Sequence, residues 1–110
     1  MFRFKVEILL NEEKIIADHE YKPETLYTYI RDMFKQYHLK EVQTDTPNHI
    51  IFIDRGTNKD YGGFWNGIWE LYDQAWFKKY VLKCLWFDKN ENEPEDVLKE
   101  AAEFEKRNRL

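Results

Sequence analysis

The sequence predicts an α+β fold, a two-layer sandwich with a mainly antiparallel sheet of about five strands and three helices, in the order ββαββαβα. Three observations carry that class. Phe2, Phe4, Val6, Ile8 and Leu10 recur with a period of two, with Arg3, Lys5 and Glu7 between them. Residues 26–37 repeat apolar side chains at spacings of three and four. Turn chemistry joins the strand-like stretches in pairs, which implies hairpins and an antiparallel sheet. By length the 110 residues make one domain spanning 1–110.

Phe2, Phe4, Val6, Ile8 and Leu10 alternate with Arg3, Lys5 and Glu7. This is a strand with one buried and one wet face. Asn11-Glu12-Glu13 reads as a turn, and residues 14–21 as a second strand with Ile15, Ala17, His19 and Tyr21 on one side. Pro23 suits the first position of a helix, where its missing N–H would have no partner. Leu26, Tyr29, Ile30, Met33, Phe34 and Tyr37 give that helix its apolar stripe, and Arg31, Asp32, Lys35 and Gln36 its wet side. Residues 41–45 read as a weak, polar edge strand. Residues 48–54 (NHIIFID) are strongly β-prone, and Thr46-Pro47-Asn48 supplies the turn between the two. Residues 55–59 form a loop.

The stretch GGFWNGIWELYDQAWF, residues 62–77, carries three of the four tryptophans. Wound as a helix, Phe64, Trp65, Ile68, Trp69, Leu71, Tyr72, Ala75 and Trp76 fall within an arc of about 160°. Asn66, Gly67, Glu70, Asp73 and Gln74 take the opposite side. A strand would mix Trp69 and Leu71 with Gly67 and Asp73 on one face, so a helix over 64–76 is the better reading. The arc exceeds the ~100° stripe that a surface helix buries. Phe64, Ile68 and Tyr72 at its centre belong to the core. Trp65, Trp69 and Trp76 lie toward one edge, either covered by the last helix or the 55–62 loop, or exposed as an aromatic ledge.

Residues 80–88 form a strand with Tyr80, Leu82, Cys84 and Trp86 on one face and Val81, Leu85 and Phe87 on the other, Lys83 among them. Apolar side chains on both faces call for a central position or a covered second surface. Residues 88–93 are an acidic linker. Pro94 opens the last helix, with Val97, Leu98, Ala101, Ala102 and Phe104 inward. Its start is acidic (Glu95, Asp96) and its end basic (Lys106, Arg107, Arg109), which complements the helix dipole.

Composition narrows the function classes. Apolar residues make up 43%, enough for one core, and the aromatic share of 17% is high. The net charge of −4 disfavours nucleic acid and anionic membranes as partners. Residues 88–105 hold eight acidic side chains against Lys89 and Lys99, a solvated segment or an acidic docking surface. No run approaches the ~20 apolar residues that span a bilayer. The start of the chain does not read as a signal peptide, so cytoplasm is the expected compartment. Cys84 is the single cysteine and reads as a buried thiol. His19, His38 and His49 show no metal-ligand spacing. No phosphate-binding glycine loop or nucleophile motif occurs, and no cofactor or catalytic residue is expected.

YKPETLYTYIRDMF, Trp76-Phe77 and the EDVL of residues 95–98 resemble a set of small uncharacterised proteins of Gram-positive bacteria and their mobile elements. The resemblance implies a bacterial, cytoplasmic origin and transfers no activity or site residue. The function expected is therefore a non-enzymatic protein-interaction module, binding a partner or itself as a homodimer. Its candidate surface is Trp65, Trp69 and Trp76 on the helix edge with Val81, Leu85 and Phe87 on an open sheet face. One alternative is a small regulator that contacts nucleic acid, or a protein bound to it, through Arg3, Lys5, Lys79 and Lys83 or through the acidic segment. The other is a small-ligand binder or enzyme with a pocket between aromatic helix and sheet.

Overall fold

The computed structural model describes residues 3–57 and 59–108. Its elements are β1 (Phe4–Leu10), α1 (Glu12–Asp18), α2 (Pro23–Gln36), β2 (Lys40–Val42), β3 (His49–Ile53), α3 (Asp60–Tyr72), α4 (Ala75–Tyr80), β4 (Val81–Asp88), β5 (Glu95–Asp96) and α5 (Val97–Asn108). The class is α+β, with five helices among the described residues where three were expected. The five strands form one antiparallel sheet in the order β2-β3-β1-β4-β5. Phe2 and Arg109, assigned above to the first strand and last helix, lie outside the described residues.

The largest correction falls on residues 12–18, which are helical rather than the second strand of a hairpin. Asn11 caps this helix, its side-chain oxygen accepting the N–H of Lys14 at 3.1 Å, and Glu12 and Glu13 occupy the first turn. Both features favour a helix start. Only Ile15 of α1 is buried. With no hairpin partner beside it in sequence, β1 becomes the central strand, flanked by β3 and β4. Its strict alternation then has a structural meaning. Phe4, Val6, Ile8 and Leu10 are buried, and Lys5, Glu7 and Leu9 are half-exposed.

Helices cover one face of the sheet. The inward side chains of β1, Ile50 and Phe52 of β3, and Cys84 and Trp86 of β4 join a single core. The helices contribute Ile15 (α1), Phe34 (α2), Ile68 (α3), Phe77 (α4) and Val97 (α5) to it. Register places a second set on the opposite face. Ile53, Lys5 and Phe87 lie in one row, Ile51, Glu7 and Leu85 in the next, and His49, Leu9 and Lys83 in a third. None of these nine is buried.

A bulge breaks the alternation of β4. Leu9 pairs with Lys83 but Leu10 pairs with Val81, so β4 carries one extra residue. Leu82, expected inward, is therefore turned out and 56% exposed. Val81, expected on the open face beside Leu85 and Phe87, turns toward the helices and packs on the core.

Gly67 is a further correction. It was assigned to the wet side of its helix, yet it is buried, and a Cβ there would stand 2.8 Å from Cε1 of Phe34. The missing side chain is what lets α3 approach α2 so closely.

The loop before α3 is held by two buried carboxylates. Asp54 accepts the amides of Arg3 at 2.6 Å, Phe4 at 2.8 Å and Gly56 at 2.8 Å. Asp60 accepts the amide of Arg55 at 2.6 Å and the hydroxyl of Thr57 at 2.8 Å. Burial pushes both carboxyls up, but these donors outweigh it and hold them below the usual value. The first turn of α3 is fixed by this network.

Candidate functional site

The inward stripe of α3 is Phe64, Gly67, Ile68 and Leu71. Tyr61, Trp65, Trp69 and Tyr72, spaced four, four and three apart, must then line its flank. Their rings form a continuous chain. Centroids are 6.5 Å apart for Tyr61 and Trp65, 6.2 Å for Trp65 and Trp69, and 6.2 Å for Trp69 and Tyr72. The chain continues to α5, where Phe104 lies 6.5 Å from Trp69. Val97 and Ala101 bury the inner side of α5, and the Tyr72 hydroxyl donates to the Leu98 carbonyl at 3.4 Å. Tyr61 is 50% exposed, Trp69 45% and Phe104 56%. This is an aromatic ledge across two helices.

Behind the ledge stands Trp86 of β4. Its ring centroid is 5.1 Å from Trp65, 5.9 Å from Tyr61 and 5.4 Å from Phe4, on which it stacks. Tyr61, Trp65 and Trp86 form the aromatic wall of a recess of about 430 Å³. Asp88, Glu91, Glu93, Glu95 and Glu100 also line it, and none of its described lining residues is basic. The arrangement follows from the register. Glu95 of β5 pairs with Trp86, so both side chains share the helix-covered face. α5 begins directly after β5 and brings Glu100 over Glu95.

Crowding has an electrostatic consequence. A hydrogen bond with Glu100, burial, and the negative charges of Glu100 and Glu91 push the Glu95 carboxyl from its usual 4.5 up to about 7. The indole N–H of Trp65 is enclosed and has no acceptor among the described residues. A second hollow of about 250 Å³ adjoins the ledge, lined by Trp69, Glu100, Glu103, Phe104 and Arg107.

The candidate residues separate into three groups. Trp65 and Trp69 lie on the ledge, the second of the two placements that the wide arc left open, with Trp69 exposed and Trp65 half-buried. Trp76 does not. α3 ends at Tyr72, the chain turns through Asp73 and an extended Gln74, and Trp76 restarts on α4, buried with its ring 5.5 Å from Tyr29. Leu85 and Phe87 are on the open sheet face, and Lys5 Nζ stands 4.0 Å over the Phe87 ring. Val81 is absent from that face because of the bulge. The basic residues grouped as one sheet face disperse. Lys5 and Lys83 share it, whereas Lys79 lies on α4, paired with Asp18 at 3.3 Å and Glu20 at 3.0 Å.

Sequence reasoning missed Tyr61, Trp86 and Phe104 as site residues, and it reached Glu95 and Glu100 only as members of the acidic segment 88–105. Phe104, expected inward, shares the stripe of Val97 and Ala101 but lies nearly a turn further along α5 and is exposed. The Glu95–Trp86 pairing depends on a two-residue strand, too short to carry a periodic signal.

Cys84 and His49 do not belong to the ledge. Cys84 is buried, and its thiol is pushed up to about 12 by burial and by the charge of Asp96. His49 Nε2 meets Glu7 Oε2 at 2.5 Å on the open face. Among the described residues no three His, Cys, Asp or Glu side chains are grouped to hold a metal ion, and no helix is long and apolar enough to cross a membrane. No protein-family model, curated protein or solved structure matches the chain.

Proposed function

We propose that the protein is a non-enzymatic protein-interaction module that docks a partner on the ledge formed by Tyr61, Trp65 and Trp69 of α3 and Phe104 of α5. The observation that carries this reading is the continuity of the ring chain with its outer members half in water. Trp and Tyr rings bury much area at little conformational cost, and they dominate the energetics of protein interfaces. The open sheet face supports docking less well. Its apolar residues Leu9, Ile51, Ile53, Leu85 and Phe87 are interleaved with Lys5, Glu7, His49 and Lys83.

Selection from a random-peptide display library tests the proposal. Peptides enriched on the wild-type protein should lose at least about tenfold in affinity on Trp69→Ala and Phe104→Ala, as truncation of an interface anchor does. Enriched peptides indifferent to both substitutions would overturn it. Sedimentation across concentration adds the case of self-recognition, in which Trp69→Ala would dissociate a homodimer.

A further inference from the structure

We propose that the recess beside the ledge is a receptor for the guanidinium of an arginine side chain carried by the docked partner. The inference rests on the docking role proposed for the ledge and names what the partner must present. Two independent features of the cavity converge on this chemistry. Its wall is a corner of three rings, with the Trp65 and Trp86 planes inclined at 50° and those of Tyr61 and Trp86 at 79°; the exposed Tyr61 and half-buried Trp65 face it, and the buried Trp86 backs them. The rest of its described lining is carboxylate. Ring faces attract cations, and arginine is the cation most often found on them. A carboxylate rim adds the hydrogen-bond acceptors that a planar, five-donor fork requires.

Three comparisons select guanidinium over other occupants. A divalent metal needs convergent oxygen ligands, and no such group occurs among the described residues. A lysine ammonium is compact and strongly hydrated, so an aromatic corner compensates its desolvation poorly, whereas guanidinium is weakly hydrated and stacks on indoles. Phosphate and nucleic acid meet a rim of their own sign. Crowding of carboxyls in the recess also carries a cost that a cation removes. Glu95 and Glu100 crowd each other enough that the pair retains a proton near neutral pH. A guanidinium between them would donate to both and release it.

The test uses the whole protein, isotopically labelled, titrated at low ionic strength with N-acetyl-argininamide, N-acetyl-citrullinamide and N-acetyl-lysinamide. Citrulline keeps the shape of arginine and removes its charge. The expected result is a saturable shift of the Trp65 and Trp86 indole resonances with the arginine probe, none with citrulline, and weaker binding of lysine. Glu95→Gln and Glu100→Gln should each weaken arginine binding about fivefold, with the loss growing smaller as salt is added. Equal responses to arginine and citrulline, or no response to either, would overturn the recess as a cation receptor. Lysine binding as tightly as arginine would overturn the guanidinium assignment. Neither outcome touches the docking role of the ledge, which is read separately through Trp69 and Phe104 in peptide selection.

Discussion

The indoles of Trp65 and Trp86 lie with their centroids 5.1 Å apart, and this one contact both closes the core and builds the recess. Trp86 reaches up from the covered face of the sheet, and Trp65 comes down from the flank of α3. The pair is held on one side by Phe64, 5.1 Å from Trp86. On the other side it meets the acidic lining.

That dual role sets the first prediction. Trp65→Ala removes half-buried ring area and should destabilise the fold by about 2 to 3 kcal/mol, below the range for fully buried aromatic residues. Trp65→Phe keeps a ring against Trp86 and deletes the enclosed N–H that has no acceptor. An unpaired buried donor costs about 1 to 3 kcal/mol, so its loss offsets much of the lost area. Urea denaturation should place Trp65→Phe within about 1 kcal/mol of the wild type. Equal damage from both substitutions would contradict the unpaired-donor account.

Two glycines of one helix should respond in opposite directions. A Cβ at Gly67 would meet Phe34 at 2.8 Å and 3.1 Å, and Phe34 is fully buried. Overpacking costs about 1 to 3 kcal/mol against a helix-propensity gain near 1 kcal/mol, so Gly67→Ala should destabilise. At Gly62 a Cβ meets nothing within 4 Å, and the same change should stabilise by some tenths of a kcal/mol up to about 1. Thermal melts of the two variants decide this, and a rise in Tm for Gly67→Ala would show that the α2–α3 approach is not tight.

These residues show what was legible in the sequence and what was not. The spacing from Leu26 to Phe34 identified α2, and alternation identified β1, because each pattern reports a single buried face. The helical reading of Trp65 and Trp69 held for the same reason, as did their place on a flank. The failures share a cause as well. In α1, capping by Asn11 and the acidic first turn outweigh an alternation of Ile15 and Ala17 that is too brief to mean much. Gly67 looked wet because glycine carries no hydropathy signal, although its lack of a side chain is why it is buried. Val81 and Leu82 exchanged faces through a bulge, which periodicity cannot register. The recess joins residues from α3, β4, β5 and α5, and only the folded chain brings those together.

The end of α2 offers a test of local strain. His38 stands at φ 63°, in the left-handed region that favours glycine. Its N–H donates to the Lys35 carbonyl at 2.9 Å, and that of Leu39 to the Phe34 carbonyl at 3.3 Å, which closes the helix in a Schellman arrangement. An L-residue in this conformation costs about 1 to 2 kcal/mol, partly returned by the entropy that glycine loses on folding. His38→Gly should therefore stabilise by about 0.5 to 1 kcal/mol, raising Tm by a few degrees. A fall in Tm would mean that the imidazole makes a favourable contact of greater weight.

Stability should depend on pH in two opposed ways. Folding lowers the carboxyls of Asp54 and Asp60 below their usual 3.8. A lowered acid stabilises the fold where it is ionised, so this contribution is complete above 3.8 and is lost as pH falls through the folded value. Folding raises Glu95 instead, from 4.5 to about 7. Across that interval the folded protein holds a proton that the unfolded chain has released, so its contribution is complete below 4.5 and declines as pH climbs to about 7. Melting temperatures should consequently pass through a maximum in the mildly acidic range and fall toward neutrality. Glu95→Gln mimics the protonated carboxyl, keeps a donor for Glu100 and cannot titrate, so it should flatten the fall between 4.5 and about 7 while leaving the acid limb intact. A wild-type profile already flat across that interval, or a slope that survives the substitution, would remove the crowded carboxyl pair as its source.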